Sequence, residues 1–287
     1  MKILIVGGSG FLGQKIICRL LKDEHDLYAA VRSMPNRRIL GCKYLLVNEL
    51  ISESVNSTQP FEVIINTAMK RSSRDVPIVN SALRQLNFDI PLGIIRTYSN
   101  HKTLVINTST YIQNYGGVKG RTIEEYGKNK ELLSRALQED SLNGRYRTLD
   151  VYLFTVYGPG DRSTHLVPIL LTAIKKDLPV SLSGGDQLIN LLHVDDALDA
   201  ILSVLNSESK GYSAYHLWEP NYITVKELVS SIEKYNGGRL QVAWGVIPYE
   251  GHEMFQPWSI PFEKFPGFVQ KISLPEGLKS MQDLESL

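Results

Sequence analysis

With 287 residues, 43% of them hydrophobic, the chain is long enough to bury a substantial core in one large domain or two unequal lobes. The formal net charge is +1, and the 31 basic and 30 acidic residues are interspersed, without the basic stripe expected of a nucleic-acid-binding protein. No apolar run reaches the roughly 18 residues of a membrane helix, so we expect neither a nucleic acid nor a membrane as partner.

Apolar runs and helical periodicity alternate along the first half of the chain. Residues 3–6 form a continuous apolar run, as in a strand buried on both faces of a parallel sheet. Further strands are predicted at 26–31, 44–47, 61–66, 103–107 and 149–156, and helices at 14–22, 78–100 and 124–138. Pro91 should break or bend the second helix. Strands that alternate with helices predict an α/β fold with a doubly wound parallel sheet.

The pattern is looser in the second half. Helices are predicted at 165–176, 194–205 and 226–235, the last of them started by Thr224. The chain after Gly245 is rich in proline, glycine and aromatic residues. We expect a smaller second lobe to be assembled from the C-terminal third, with no sharp linker before it.

Cysteine content and the N-terminus indicate where the protein works. Cys18 and Cys42 lack the spacing of metal ligands, so we expect no metal and a reduced, cytoplasmic protein. The first apolar run stops at Gly7, which is too early for a signal peptide. Cys18 is expected on the buried face of the first helix.

Gly7, Gly10 and Gly13 form Gly-x-x-Gly-x-x-Gly between the first strand and the first helix. Glycines permit a tight turn and a close approach to a pyrophosphate, and the helix N-terminus offers free N–H groups. A glycine triplet alone is weak evidence, but this position is the one a dinucleotide-binding loop requires. The other loop residues predicted to contact the cofactor are Ser9, Phe11 and Leu12.

The end of the second strand indicates which dinucleotide binds. Sites that prefer NAD usually place Asp or Glu here to hold the ribose 2′-hydroxyl. This chain instead has Arg32 and Ser33, and a cation suits a 2′-phosphate, so we predict NADP(H). Arg37 and Arg38 either help Arg32 to bind the 2′-phosphate or are solvated charges of the loop.

Tyr126 and Lys130 are spaced i, i+4 on a predicted helix, which puts both on one face. A phenol has a pKa near 10 and needs a neighbouring cation to work as an acid or base at neutral pH. Ser109, at the end of the fifth strand, can hold a substrate oxygen beside Tyr126, and Thr110 is a rival for that role. Lys130 can also bind the nicotinamide ribose. The order of loop, hydroxyl cluster and helix predicts a catalytic triad.

Several segments resemble the extended short-chain dehydrogenases that act on nucleotide sugars. They are residues 7–13, 65–68, 126–130, 156–161 and 192–197, which keep the family order over about two-thirds of the chain. The resemblance implies a Rossmann domain over 1–160, with Thr67 and Ala68 at the cofactor. It also implies a substrate lobe over 161–287, part of which, about 185–205, returns to the main body.

Within that family the chain looks most similar to the small CDP-sugar 4-reductases, the CDP-abequose and CDP-paratose synthases. This resemblance implies reduction of a 4-keto deoxy sugar on a nucleoside diphosphate, CDP or dTDP, with Tyr126 as the proton donor. A homodimer through the catalytic helix and residues 78–98 would follow by analogy.

Two positions depart from the family pattern. Ile189 and Tyr152 stand where relatives often carry arginine, which removes cations that could meet a diphosphate. Four other residues could compensate, although structural or solvated roles are the simpler reading: Arg162, His165, Lys175 and His193.

Other functions stay open at this stage. Thr110 and Tyr111 stand where a 4,6-dehydratase needs carboxylates, which argues against dehydration. A nucleotide-sugar epimerase would use the same triad with retained cofactor. A reductase of a non-sugar carbonyl and a non-catalytic NADP-binding sensor are the remaining alternatives.

Overall fold

A parallel sheet organises the chain. The computed structural model describes residues 1–52, 59–72, 77–161, 165–207, 210–259 and 261–283. Its strands are β1 (Lys2–Val6), β2 (Asp26–Val31), β3 (Cys42–Leu46), β4 (Val63–Asn66), β5 (Leu104–Thr110), β6 (Arg147–Leu153), β7 (Thr155–Tyr157), β8 (Val180–Ser181), β9 (Leu188–His193), β10 (Tyr212–Leu217), β11 (Tyr222–Thr224), β12 (Val242–Ala243) and β13 (Glu263–Lys264).

The α-helices lie mostly between these strands. They are α1 (Phe11–Leu20), α2 (Val47–Ser52), α3 (Asn80–Arg84), α4 (Ile90–Tyr98), α5 (Glu125–Leu142), α6 (Leu166–Lys176), α7 (Val194–Ser203), α8 (Val225–Asn236) and α9 (Leu274–Asp283). A π-helical stretch, Gln85–Asp89, joins α3 to α4, and a 3₁₀ stretch, Tyr111–Gly117, follows β5.

Among the described residues, eight strands form the main sheet in the order β13-β10-β6-β5-β4-β1-β2-β3, and every neighbouring pair is parallel. Apolar side chains from α1 and α7 pack on one face, and those from α2, α4 and α5 pack on the other. Because both faces are covered, β1, β4 and β5 are buried along almost their whole length. The predicted doubly wound α/β fold is confirmed.

The predicted sixth strand, 149–156, is in fact two strands in two sheets. It leaves the main sheet after Leu153, and β7 pairs with β9 in a small sheet completed by β11. Phe154 lies at the change, with its ring 4.7 Å from that of Trp218 and 4.2 Å from that of Tyr111. The sequence could not predict that the chain changes sheet here, because both strands are buried and together they form one mostly apolar run.

The chain after residue 160 is shared between the two parts. The strands β10 and β13 extend the main sheet, whereas α6, α8 and α9 surround a second apolar core. Thr224 starts α8, as the sequence predicted, and the structure shows that it does so in a capping box with Glu227. The position of a domain boundary near residue 160 stays a prediction.

One local prediction is confirmed and two need correction. The predicted helix 78–100 is interrupted just before Pro91: a π-helical stretch separates α3 from α4, and Pro91 lies in the first turn of α4, where a proline is tolerated. Val47 ends no strand and instead begins α2. Cys18 is exposed rather than buried, because the apolar face of α1 is formed by Ile16, Ile17 and Leu20.

Gly13 lets α1 approach the end of β1, and this contact gives a test of the packing. An added Cβ would lie 2.4 Å from Gly7 O, so Gly13→Ala should cost about 1–3 kcal/mol in the free energy of unfolding. Gly93, inside α4, has no atom within 4 Å of an added Cβ, and Gly93→Ala should be neutral or stabilise by up to about 1 kcal/mol. Urea denaturation measures both, and equal stabilities would contradict the close approach.

Candidate active site

The loop between β1 and α1 is shaped to receive an anion. Gly7 leaves β1 with a φ of +84°, a conformation that favours glycine. Gly10 is the N-cap of α1 and offers no side-chain bond, and the first turn contains no acidic residue. The first N–H groups of the helix are therefore left for another acceptor. Ser9 is exposed, while Phe11 and Leu12 are half-buried against the core.

Residues from three adjacent strands meet at this loop. Thr67 follows β4 and donates its hydroxyl to Val6 O at 3.0 Å. An added Cβ on Gly7 would lie 2.9 Å from Ala68 N. Arg32 and Ser33 follow β2 and are exposed. Since β2, β1 and β4 are parallel neighbours, their carboxyl ends share one edge, where an α/β sheet binds its ligand.

These residues fit a dinucleotide. Side chains at Gly7 and Gly13 would collide with the backbone of Ala68 and of Gly7, so glycine at these positions keeps the loop, α1 and the end of β4 close together. Within the described part of the chain, Arg32 makes no ion pair that would neutralise it.

Tyr126 and Lys130 lie one turn apart near the start of α5 and are buried, with Lys130 only 1% exposed. Burial lowers the pKa of Lys130 to about 8, and the Asp150 carboxylate opposes that change. Burial likewise raises the pKa of the Tyr126 phenol above its ordinary value, while the Arg71 guanidinium lowers it. An added Cβ on Gly127 would lie 3.1 Å from Ile112 O, so α5 packs closely on the chain that follows β5.

Thr110 supplies the hydroxyl that acts on Tyr126, where it lowers the pKa of the phenol. Ser109, the predicted partner, is turned into the protein. It donates to Asp150 Oδ1 at 2.6 Å and lies 3.0 Å from the hydroxyl of Ser134 on α5. Neighbouring residues of a strand project to opposite faces, so only one of this pair can face the phenol. Thr110 was the alternative that the sequence left open.

A buried polar network lies beneath this site. Asp150 is 0% exposed and accepts hydrogen bonds from Ser109, from Asn107 Nδ2 at 2.9 Å and from the Tyr212 hydroxyl at 3.0 Å. Asn107 also accepts from Asn66 Nδ2 at 2.8 Å. Through Asn66, which accepts from Ala68 N at 3.2 Å, the network connects the loop after β4 to the face of α5 that carries Lys130.

A charged group lies against Tyr126 that the sequence did not predict. The Arg71 guanidinium carbon is 5.5 Å from the centre of the Tyr126 ring. Arg71 Nη2 donates to Glu124 Oε1 at 3.2 Å and contacts His252 Nε2 at 3.3 Å. Arg71 follows β4 by five residues and Glu124 precedes Tyr126 by two, but His252 is distant in sequence. No local pattern joins these three residues.

Asn87 is buried in the π-helical stretch before α4. Its side chain binds the backbone of Lys70, with Oδ1 accepting from Lys70 N and Nδ2 donating to Lys70 O, both at 2.8 Å. It thereby fixes the segment that carries Arg71.

An aromatic wall adjoins the site. The Tyr111 ring stacks on Phe154 at 4.2 Å and lies 5.9 Å from Trp258. Tyr152, at the position where relatives often carry arginine, stacks on Phe262 at 4.0 Å. A narrow pocket between them is lined by Tyr111, Asn114, Tyr152, Trp218, Trp258, Ser259, Pro261 and Phe262.

Two of the four residues that could compensate for the missing arginines, His193 and His165, have protein partners. Ile189 packs against the apolar core of the small lobe. His193 is buried, and its Nδ1 accepts from Asp195 N at 3.2 Å at the start of α7. His165 Nδ1 is 3.7 Å from Asp161. Arg162 lies outside the described residues.

Two further observations concern the described part of the chain. It contains no helix that is both long and apolar enough to cross a membrane. It also contains no group of three or more His, Cys, Asp or Glu side chains that could hold a metal ion.

Comparison with known proteins agrees with this geometry. A CDP-abequose synthase of Yersinia pseudotuberculosis is 26% identical over 272 residues, covering 90% of this chain and 92% of the relative. The structure of MoeE5 in complex with UDP-glucuronic acid and NAD superposes with a TM-score of 0.84 at 20% identity and covers 100% of both chains. A UDP-glucose 4-epimerase of Thermotoga maritima, solved with UDP-glucose, also gives 0.84, at 17% identity, with 100% of this chain and 99% of the other covered.

The family model for the NAD dependent epimerase/dehydratase family matches residues 3–217. That span holds the glycine loop, Thr110, Tyr126 and Lys130. The chain belongs to the NAD dependent epimerase/dehydratase family.

Proposed function

We propose that the protein uses NADPH to reduce a keto group on a nucleotide-linked deoxy sugar, with CDP or dTDP as the nucleotide. The observation that carries the proposal is the buried arrangement of Thr110, Tyr126 and Lys130 at the sheet edge that carries the glycine loop. The relative named CDP-abequose synthase supports the sugar-nucleotide class, because it aligns over most of both chains.

The cofactor-binding part of the proposal rests on the loop and on Arg32. The N–H groups at the start of α1 would hold the pyrophosphate, and Arg32, exposed after β2, would pair with a 2′-phosphate. Thr67, Ala68 and Ser33 would complete the pocket, and Lys130 would bind the nicotinamide ribose. When bound, NADPH supplies the hydride for the reduction.

The chain's own residues would handle the proton. The substrate carbonyl accepts hydrogen bonds from the Tyr126 and Thr110 hydroxyls, which polarises it. Tyr126 then donates its proton to the carbonyl oxygen as the alkoxide forms. The phenolate that remains is stabilised by the nearby cations, and Lys130 carries its charge at neutral pH because its pKa is about 8. We keep the predictions of a cytoplasmic location and a homodimer as part of this proposal.

The catalytic roles can be separated by three variants assayed for NADPH oxidation with CDP- and dTDP-linked 4-keto-6-deoxy sugars. Tyr126→Phe should lower turnover by about 10²–10⁴-fold with little change in NADPH affinity. Thr110→Val should also lower turnover. Ser109→Ala should mainly lower thermal stability, because buried Asp150 loses a donor. A loss of turnover in Ser109→Ala as large as in Tyr126→Phe, with unchanged stability, would reassign the hydroxyl to Ser109.

Cofactor preference depends on Arg32. Arg32→Ala should weaken NADPH binding by about ten- to a hundredfold and leave NADH binding nearly unchanged, since a charge-assisted bond contributes about 1.5–3 kcal/mol. Isothermal titration measures both affinities. Arg239→Ala, which removes the same charge from an exposed position in the small lobe, is the matched control. Equal losses for NADPH and NADH would contradict a 2′-phosphate site.

The pH dependence of NADPH binding tests Lys130. The charged ammonium is the form that binds the ribose and offsets the cofactor's negative charge, and in the free protein it is lost as the pH rises through about 8. Affinity should therefore be constant below that pH and fall by up to about tenfold per pH unit above it. Lys130→Met should bind more weakly below pH 8 and lack this decline. An identical decline in Lys130→Met would assign it to another group.

A further inference from the structure

Arg71 is the cation in direct contact with the catalytic tyrosine. Its guanidinium carbon is 5.5 Å from the centre of the Tyr126 ring, within the range of a cation–π contact. Lys130 lies on the same helix one turn further on, and the Asp150 carboxylate acts on it electrostatically. The site therefore has cations from two separate elements, α5 and the segment after β4.

The position of Arg71 is fixed from three sides. Asn87 holds the backbone of the preceding residue with two hydrogen bonds of 2.8 Å. Glu124, immediately before α5, accepts from Arg71 Nη2 at 3.2 and 3.3 Å. His252, from the C-terminal part of the chain, completes the set at 3.3 Å. A long side chain held in this way loses little further freedom when charge develops beside it.

The contact with His252 determines the tautomer of that imidazole. A guanidinium can only donate, so His252 Nε2 must accept and its proton must be on Nδ1. Nδ1 faces Glu124 at 3.5 Å and Glu250 at 3.4 Å, both of which can accept. The arrangement is complete with a neutral imidazole, and burial lowers the pKa of His252, which favours that form.

We propose that Arg71, held by Glu124 and His252, is a positioning residue that stabilises the phenolate of Tyr126 and so makes this tyrosine a stronger proton donor. The role of Arg71 in catalysis rests on the proposed reduction. The effect of its charge on the pKa of Tyr126 does not depend on which substrate binds. In this arrangement two cations stabilise the phenolate: Arg71, from the segment after β4, and Lys130, from α5.

Each residue near Tyr126 either raises or lowers the pKa of its phenol. Arg71 opposes the effect of burial on the phenol, whereas Glu124 and Tyr111 add to it, and the Thr110 hydroxyl acts with Arg71. Glu253 faces Tyr111 rather than Tyr126. An opposite charge at about 4–6 Å typically changes a pKa by 1–3 units, and Glu124 cancels part of the effect of Arg71. Removing the guanidinium should therefore raise the pKa of the phenol by about one unit, and removing the Glu124 carboxylate should lower it.

The experiment measures the pKa of the Tyr126 phenol directly and needs no substrate. Tyr126 is replaced by 3,5-difluorotyrosine, whose phenol is more acidic than tyrosine's, and the ¹⁹F signal is followed against pH in the protein without cofactor. The titration is repeated with Arg71→Gln, Arg71→Lys and Glu124→Gln. The matched control is Arg121→Gln, because Arg121 makes the same kind of contact, 5.3 Å from the ring of Tyr115.

We expect the midpoint to rise by about one pH unit in Arg71→Gln, to return most of the way in Arg71→Lys, and to fall in Glu124→Gln. Arg121→Gln should leave it unchanged. If Arg71→Gln does not fold, the fall in Glu124→Gln, beside a midpoint close to that of the parent protein in Arg71→Lys, still decides the matter. An unchanged midpoint in Arg71→Gln, or a rise in Glu124→Gln, would overturn the inference. Failure of the proposed reduction would instead appear as absent NADPH oxidation with these midpoints still displaced.

Discussion

The burial of two ionisable groups, a phenol and an ammonium, is the constraint on which the rest of the site depends. Removing water from Tyr126 raises its pKa, and removing it from Lys130 lowers its pKa to about 8. Both effects favour the uncharged forms and so oppose the phenolate of Tyr126 and the ammonium of Lys130. Two charged residues oppose these effects of burial. The Asp150 carboxylate raises the pKa of Lys130, and the Arg71 guanidinium lowers the pKa of Tyr126.

The parallel sheet makes this compensation possible. Because β4, β5 and β6 are adjacent and in register, Asn66, Asn107 and Asp150 stand side by side and bind one another in the interior. A buried carboxylate is tolerated only when donors surround it, and Ser109, Asn107 and Tyr212 supply them. The same strands end at the edge where the glycine loop lies. The loop proposed to bind a cofactor and the polar network beneath Tyr126 are therefore parts of one layer.

Much of this could be predicted from the sequence. Apolar strands, the glycine loop and periodic helices are local patterns, and they predicted the doubly wound sheet and the helix that carries Tyr126 and Lys130. The choice between Ser109 and Thr110 could not be predicted, because both end the same strand and only the register shows which one faces the phenol. The change of sheet at Phe154 could not be predicted either, because a buried strand has the same apolar sequence pattern in both sheets. Arg71, Glu124 and His252 meet only in the folded chain.

The most direct test of the account is the transfer of deuterium from NADPH that carries deuterium at both positions of nicotinamide C4 to a CDP- or dTDP-linked 4-keto-6-deoxy sugar, measured by mass spectrometry of the product. The account predicts net NADPH oxidation and one deuterium at the former keto carbon, with this product nearly absent in Tyr126→Phe. A sugar interconverted without net oxidation of the cofactor would contradict it and assign the site to epimerisation. Unlabelled keto sugar recovered beside intact NADPH, from protein that binds both, would contradict reduction of this class of substrate.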